Sequence, residues 1–278
     1  MRFILPLFIF LSCGLAAQDY QIKGKIIDAK SNAPIPFVNL GIETKAIGTV
    51  SDENGKFTLI FDNLNDEVAI SSIGYKRKYI TAKKLQSMEV IKLEPVEYNM
   101  ALIEVVAERF QGDEVQLGVK NKKGRGMSVG FGSQQLGTEI GSVITIKQST
   151  LIQNVNFVLN HAKGDSLFFR MKIYDFQNQK IGQQILKENI FLMEKQRRGT
   201  FTIDLKEYDL VLKNDVLLTL EWIKNDGSKS NDGLTFDTAK GKGKKGIYMK
   251  PSSQSSLQKV EVHSNKSVCF YFIGRAIE

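Results

Sequence analysis

Few side chains in this sequence have the chemistry of a catalytic nucleophile or a transition-metal ligand. The 278 residues include two histidines, His161 and His263, and two cysteines, Cys13 and Cys269. A reactive cysteine needs a neighbouring base and some exposure, whereas Cys269 lies in the apolar run Val268–Ile273. We expect Cys269 to be a buried structural thiol, because free cysteine packs as a small hydrophobe. The histidines are expected at turn or surface positions, and the sequence predicts neither catalytic residues nor a cofactor.

One polar segment carries oxygen ligands at the spacing of a calcium-binding loop. Such spacing lets a chain wrap around a hard cation. However, offset 6 is Asn231 in place of glycine, offset 12 is aspartate in place of glutamate, and no flanking helices are predicted. A polar hairpin loop is therefore the preferred interpretation, and no metal is predicted. The calcium loop is the alternative, with ligands at offsets 1, 3, 5, 7 and 12: Asp226, Ser228, Ser230, Asp232 and Asp237.

Two lysine-rich segments are candidate contacts for an anionic ligand. Clustered cations attract the phosphates or carboxylates of lipopolysaccharide or of another anionic polysaccharide. The simpler interpretation is two solvated loops, because segments rich in lysine and glycine bury little apolar surface. Without interleaved aromatic residues, they do not predict nucleic-acid binding. The residues are Lys120, Lys122, Lys123 and Arg125 in the first segment, and Lys240, Lys242, Lys244 and Lys245 in the second.

The elements that position these residues are predicted to be β-strands. Apolar and polar side chains alternate along most of the chain, as expected for strands with one buried face. In 167–174, for example, the apolar set shares a face opposite Arg170, Lys172 and Tyr174. In 216–222, Trp222 falls on the apolar face and is assigned to the core. Short helical turns are predicted near Thr81–Gln86 and Leu205–Tyr208.

Composition and charge divide the chain into two domains. A hydrophobic content of 42% and a charged content of 24% exclude a disordered or collagen-like chain. Residues 109–126 have little apolar periodicity and several glycines, which predicts a linker. It separates a domain at 18–108, with 11 basic and 13 acidic residues, from a domain at 127–278. Residues 109–278 carry 26 basic and 17 acidic residues, which largely accounts for the net charge of +8.

The first 17 residues are typical of a secretory signal peptide. Arg2 precedes the apolar run Phe3–Leu11, and small residues lead to a predicted cleavage after Ala17. Removal of residues 1–17 leaves no transmembrane span in the expected mature chain. The protein is thus expected to be exported, to the periplasm, the outer membrane or the outside of the cell. The alternative is a lipoprotein signal that would lipidate Cys13.

The first domain resembles a known family. The segments Ile22–Asp28, Ala33–Leu40, Gly48–Phe57 and Ser71–Tyr75 are similar to the carboxypeptidase-regulatory-like domain of envelope proteins from Bacteroidota, which is a transthyretin-like β-sandwich. The resemblance implies a scaffold and no peptidase. A zinc peptidase needs histidine and carboxylate ligands, and residues 18–108 contain no histidine.

Together these features predict an all-β protein with an N-terminal transthyretin-like β-sandwich and a C-terminal jelly-roll-like β-sandwich. The expected function is that of a non-catalytic exported envelope protein, a binding or structural module accessory to surface or nutrient-uptake machinery. The expected partner is an envelope protein or a surface glycan. The alternative is a carbohydrate-binding protein that uses the C-terminal sandwich, with Tyr174, Tyr208 and Tyr248 as candidate aromatic contacts for sugar rings.

Overall fold

The computed structural model describes nine segments, which are residues 19–96, 112–120, 128–132, 136–162, 167–194, 198–225, 233–240, 246–261 and 265–277. About 61% of the structure is strand and 4% is helix, so the predicted all-β fold class is confirmed. The predicted signal peptide, 1–17, lies outside the described residues. The described segments contain no helix with the length and hydropathy of a membrane span.

The first domain packs a three-stranded sheet against a four-stranded sheet. The first sheet has the order β4-β1-β7 and the second β3-β2-β5-β6, and side chains alternate between buried and exposed along β4, as predicted. The elements are β1 (Tyr20–Asp28), β2 (Asn39–Ile42), β3 (Ile47–Val50), β4 (Lys56–Phe61), β5 (Glu67–Ser71), β6 (Lys78–Thr81), α1 (Ala82–Gln86) and β7 (Val90–Leu93).

Turn chemistry and one short helix connect these strands. Gly55 has a φ of +73°, which glycine adopts without steric cost. The Asp52 carboxylate accepts hydrogen bonds from the Asn54 and Lys56 backbone N–H groups at 2.9 and 2.8 Å. Helix α1 precedes β7, which pairs in parallel with β1. The helical turn predicted near Thr81–Gln86 is confirmed.

The second domain is a sandwich of two larger sheets. One sheet has the order β13-β12-β17-β10-β19-β20, with β14 also paired to β12. Its strands are β10 (Glu139–Ile144), β12 (Leu167–Gln177), β13 (Lys180–Gln184), β14 (Ile190–Glu194), β17 (Val216–Asn225), β19 (Ile247–Lys250) and β20 (Gln258–Val260).

The opposing sheet has the order β21-β18-β11-β22-β8, with β15 and β16 on β11 and β9 on β18. A 3-10 helix at Lys206–Tyr208 confirms the second predicted helical turn. The strands are β8 (Glu114–Gly118), β9 (Ser128–Gly132), β11 (Thr150–Ala162), β15 (Gly199–Asp204), β16 (Val211–Leu212), β18 (Gly233–Lys240), β21 (Lys266–Val268) and β22 (Phe270–Ala276).

Part of the predicted linker, 109–126, is a strand of this sheet. Strand β8 pairs antiparallel with β22, in a register that joins Gly274 to Val115 and Phe272 to Leu117. The partly buried Leu117 packs against the core of the second domain. The short alternation of Val115 and Leu117 among polar residues is enough for an edge strand, because only one of its faces is buried.

The inner faces of the two large sheets form the main core. Trp222, Phe157, Phe169 and Phe272 are fully buried there, and Phe157 meets Phe270 edge-on with ring centroids 4.7 Å apart. Placement of Trp222 in the core is confirmed. Because side chains alternate across a strand, the same register points Arg170, Lys172 and Tyr174 of β12 out of this core, towards the first domain.

Candidate functional site

A row of four charged residues crosses the outer face of the β12-β17-β10-β19 sheet. Arg170 is directly opposite Glu221, Glu221 is opposite Glu139, and Glu139 is opposite Lys250. Directly opposed residues on one face lie within about 5.5 Å of each other, so the register alone fixes the order cation, carboxylate, carboxylate, cation. Lys172, two residues along β12 from Arg170, completes what we call the charge cluster.

Short ion pairs hold the charge cluster together. Glu221 Oε2 lies 2.6 Å from Arg170 Nη2 and 2.8 Å from Lys172 Nζ. Glu139 Oε2 lies 3.2 Å from Lys172 Nζ and 3.0 Å from Lys250 Nζ, and its other oxygen accepts from the Thr219 hydroxyl at 2.6 Å. The two adjacent carboxylates would repel each other, and the cations on both sides offset that repulsion.

The first domain covers the charge cluster and completes its hydrogen bonds. Arg170 donates to the Asn39 side-chain oxygen and to the Phe37 carbonyl, both at 3.0 Å, and Asn39 Nδ2 donates to Glu221 Oε1 at 2.9 Å. The side chains of Arg170 and Glu221 are only 2% and 0% exposed. The outward face of β12 is therefore an interface between domains.

An apolar contact lies beside the charge cluster. Phe37 of the first domain stands 5.0 Å, between ring centroids, from both Phe168 and Phe191 of the second domain. Val50 and Ile223 join the same buried cluster. Aromatic pairs at this separation add about 0.5–1.5 kcal/mol each beyond the burial of their surface, so the domain contact has an apolar part as well as an ionic part.

The segment 251–257 between β19 and β20 reaches over the first domain's sheet. The Ser253 hydroxyl donates to the Leu40 carbonyl, while Gln254 Nε2 donates to the Asn39 carbonyl and to Ser71 Oγ, both at 2.9 Å. Gly48 has no positive φ; a Cβ there would meet Ser253 Oγ. Gly48 lies inside strand β3, and its missing side chain lets the domains approach.

The charge cluster keeps both carboxylates ionised. Burial favours protonated carboxyls, but the Lys172 and Lys250 cations outweigh it and lower the pKa of Glu139 to about 2. Arg170, Lys172 and Lys250 likewise hold the pKa of Glu221 well below its usual range. Burial lowers the pKa of Lys172, whereas the two carboxylates outweigh burial and raise the pKa of Lys250.

This charge balance does not suit Glu139 and Glu221 for general acid catalysis. Two converging carboxylates are the expected signature of a glycoside hydrolase. An acid in such a pair needs a pKa raised towards neutrality, whereas both pKa values here are lowered. Both side chains are also fully buried, and their oxygens are engaged by the cations and by Asn39 and Thr219. The arrangement fits a structural ion network.

A cleft of about 420 Å³ opens beside the charge cluster, between the two domains. We call it the interdomain cleft. Lys172, Tyr174 and Gln184 line it from the second domain, and Asn39 and Arg77 line it from the first. Its volume is in the range of small-molecule sites, about 300–1,000 Å³.

The described lysines of the two candidate anion loops lie apart. Lys120 follows β8, with its Nζ 5.5 Å from the centroid of the Tyr271 ring, and Lys240 ends β18. Strands β11 and β22 lie between β18 and β8 in the sheet. The other six residues proposed for this contact lie outside the described residues: Lys122, Lys123, Arg125, Lys242, Lys244 and Lys245.

The candidate calcium loop is described only at Asp237, which lies in β18 opposite Ser128. Asp226, Ser228, Ser230 and Asp232 lie outside the described residues, as do Cys13 and His263. His161 is exposed and pairs with Thr235 at the end of β11. Among the described residues, no group of three or more His, Cys, Asp or Glu side chains lies close enough together to hold a metal ion.

Cys269 is fully buried, as expected. Its backbone N–H donates to the Asp237 carbonyl at 2.8 Å. The three tyrosines considered for sugar contact differ in exposure. Tyr248 is 9% exposed and packs edge-on against Phe176, Tyr174 is partly buried against the same cluster, and Tyr208 is 38% exposed. Tyr174 lines the interdomain cleft.

The sequence interpretation missed Glu139, Glu221 and Asn39. It placed Arg170 and Lys172 on a polar face, which an isolated sandwich would expose to water. The available signal was β17, where Leu217 and Ile223 make the face opposite Trp222 apolar too, and a strand that is apolar on both faces indicates cover on both sides. Glu221 lies between those two residues and shares their covered face.

Comparison with known proteins identifies the first domain. A family model described as the CarboxypepD_reg-like domain matches residues 22–106, which confirms the resemblance found in the sequence for this domain. Such domains are non-catalytic β-sandwich modules. No curated protein matches the chain.

Solved structures similar to this chain come from infectious bursal disease virus. The VP2 subviral particle is 10% identical, with a TM-score of 0.28 over 86% of this chain and 64% of that chain. The Gt-strain structure is 12% identical, with a TM-score of 0.27 over 93% of this chain and 65% of that one. The chain thus spans less than two thirds of these viral chains, and at such scores the likeness supports no inference about function.

Proposed function

We propose that this protein is an exported, non-catalytic binding or structural module of the bacterial cell envelope. In this proposal the CarboxypepD_reg-like domain is held rigidly on the second sandwich. The observation that carries it is the buried charge cluster, which joins the domains while keeping Glu139 and Glu221 ionised and engaged. A scaffold with fixed domain geometry needs such a contact, since interfaces between domains otherwise permit relative motion.

Export is supported by the sequence of residues 1–17, and the low cysteine content is compatible with it. An exported chain of this size with a large apolar core does not need disulfides for stability. The resemblance of the first domain to envelope proteins of Bacteroidota favours a role as an accessory to surface or nutrient-uptake machinery, with an envelope protein as partner.

Cell fractionation and mass spectrometry of the mature chain test the location. We expect the protein in the envelope fraction with Gln18 as its first residue. A chain that keeps residues 1–17 and remains in the cytoplasm would overturn the proposal. A mature chain that begins at a lipidated Cys13 would support the envelope location and would show that the alternative lipoprotein signal is the one in use.

Affinity capture and glycan binding test the role. Residues 18–278 should capture an envelope protein in stoichiometric amount from outer-membrane extract, and capture should weaken when Phe37→Ala loosens the domain contact. Saturable binding of a neutral glycan, with no captured protein, would replace the proposal with the carbohydrate-binding alternative. Turnover of a glycan substrate that is lost in Glu139→Gln would replace it with a hydrolase.

A further inference from the structure

The interdomain cleft has a cationic floor with an unbalanced charge. Among the described residues, the charge cluster combines three cations, Arg170, Lys172 and Lys250, with two carboxylates, Glu139 and Glu221. A buried charge without a counter-ion is unfavourable. The cluster as described therefore carries one excess positive charge.

Lys172 and Lys250 both line the cleft. Lys250 Nζ is engaged by Glu139, Glu221 and the Ser253 carbonyl, so Lys172 is the one of the two that keeps a donor for a ligand. Its Nζ lies 2.8 Å from Glu221 Oε2 and 3.2 Å from Glu139 Oε2, and Lys172 lines the cleft. An ammonium group has three donors, and the contacts within the described residues engage two of them. Arg77, at the cleft rim, differs because Glu43 balances it at 2.9 Å.

Gln184 supplies a second donor on the same wall. It is directly opposite Tyr174 in the β12–β13 pair, which places it on the same face as Lys172 and one diagonal step away. Its Nε2 is shielded from water and has no hydrogen-bond partner among the described residues. The terminal amide turns easily, so an acceptor in the cleft would satisfy a donor that otherwise costs free energy.

The rest of the cleft offers polar contacts to a hydroxylated molecule. Ser71 and Ser256 line it with hydroxyl groups whose oxygens already accept from Gln254 and Gln258. Each hydroxyl therefore keeps its own proton to donate. Tyr174 and Leu257 supply apolar surface.

We propose that the interdomain cleft binds the carboxylate of a small hydroxy acid, with Lys172 Nζ and Gln184 Nε2 as donors to its two oxygens. A monoanion matches the single excess charge, whereas a phosphate dianion would overcompensate it. Burial and the neighbouring cations Lys250 and Arg170 lower the pKa of Lys172, which is consistent with an excess of positive charge around it. The ligand is either a free sugar acid or the uronate residue of a glycan, and the inference goes beyond the proposed function because it does not depend on cellular location.

Isothermal titration calorimetry of residues 18–278 tests this inference with gluconate, glucuronate, a glucuronate-containing oligosaccharide, glucose and inorganic phosphate. We expect saturable binding of gluconate or glucuronate, and at least tenfold weaker binding of glucose and phosphate. Tighter binding of gluconate identifies a free acid as the ligand source. Tighter binding of the oligosaccharide identifies a glycan.

Variants locate the site. Lys172→Met removes the excess charge and is expected to weaken acid binding at least tenfold. Gln184→Leu is expected to weaken acid binding severalfold. It tests the site independently if Lys172→Met fails to fold. Lys180→Met, an exposed lysine on the same strand as Gln184, is the matched control and should bind like the parent.

Three results would overturn the inference. They are binding of glucose as tight as that of the acids, binding of the acids that persists in both Lys172→Met and Gln184→Leu, and absence of binding by every acid. Absence of acid binding in a protein that still captures its envelope partner would remove the cleft inference and leave the proposed function intact.

Discussion

Replacement of Glu221 by glutamine perturbs the charge balance of the domain interface most sharply. Glu221 lies 2.6 Å from Arg170 and 2.8 Å from Lys172, and it accepts from Asn39 at 2.9 Å. Glutamine keeps the shape of the side chain but removes one of two negative charges, so the charge cluster passes from one excess positive charge to two. Removal of one partner of a buried ion pair costs about 3–5 kcal/mol, and we expect a loss of that size in the free energy of unfolding.

Lys172→Met is the matched perturbation of opposite sign. It removes two ion pairs, but it leaves Arg170 and Lys250 balanced against Glu139 and Glu221. Removal of one partner of a buried ion pair is costly because it leaves an uncompensated charge, and Lys172→Met leaves none. We therefore expect the stability of Lys172→Met to lie within about 1 kcal/mol of the parent, in contrast to Glu221→Gln.

Urea unfolding of residues 18–278 measures both variants. Trp222 is the single tryptophan of the chain and is buried in the core of the second domain, so its fluorescence reports unfolding there. A change in midpoint at constant m-value isolates the change in stability. Two results would contradict the assigned charge balance: a loss of stability in Lys172→Met as large as that in Glu221→Gln, or a stability of Glu221→Gln within about 1 kcal/mol of the parent.

Three further predictions follow from the geometry. Because the pKa of Glu139 is about 2 in the folded chain and the ordinary pKa of a glutamate is 4.5, the unfolded chain protonates first as the pH falls. Stability present above pH 4.5 should thus fall by about 3 kcal/mol towards pH 2, and urea titrations of Glu139→Gln should show a flatter pH dependence. Gly48→Ala should cost about 1–3 kcal/mol by overpacking because its Cβ meets Ser253 Oγ; thermal unfolding of Gly48→Ala with Ser253→Ala should recover part of that loss, and full additivity would contradict the close approach. Cys269 should react with a thiol reagent only after denaturation, since it is buried, and a rapid reaction of the native chain would contradict this.

Much of the fold can be predicted from local pattern. Alternation places Phe57 and Leu59 of β4, and Phe169 and Trp222 of the second domain, on buried faces, because one side of each sheet must leave water. Gly55 and Asp52 mark a turn by chemistry that depends on few neighbours.

The site could not be predicted in the same way, because it depends on which sheets face each other. Alternation shows that Arg170 and Lys172 leave the core, but it does not reveal that the first domain then covers them. The pairing of Glu139 with Glu221 depends on the register between β10 and β17, strands separated by about 70 residues of chain. Only the apolar residues Leu217 and Ile223, on the supposed outer face of β17, indicate that a second layer is present.

The most direct test of the domain contact is the coupling free energy between Asn39 in the first domain and Glu221 in the second. A double-mutant cycle with Asn39→Ala and Glu221→Ala, each of which removes its side of the hydrogen bond, isolates their interaction from the separate cost of each change. A hydrogen bond to a buried carboxylate contributes about 1.5–3 kcal/mol, and the 2.9 Å contact predicts a coupling of at least 1 kcal/mol. A coupling near zero would mean that the two domains do not share this buried charge cluster.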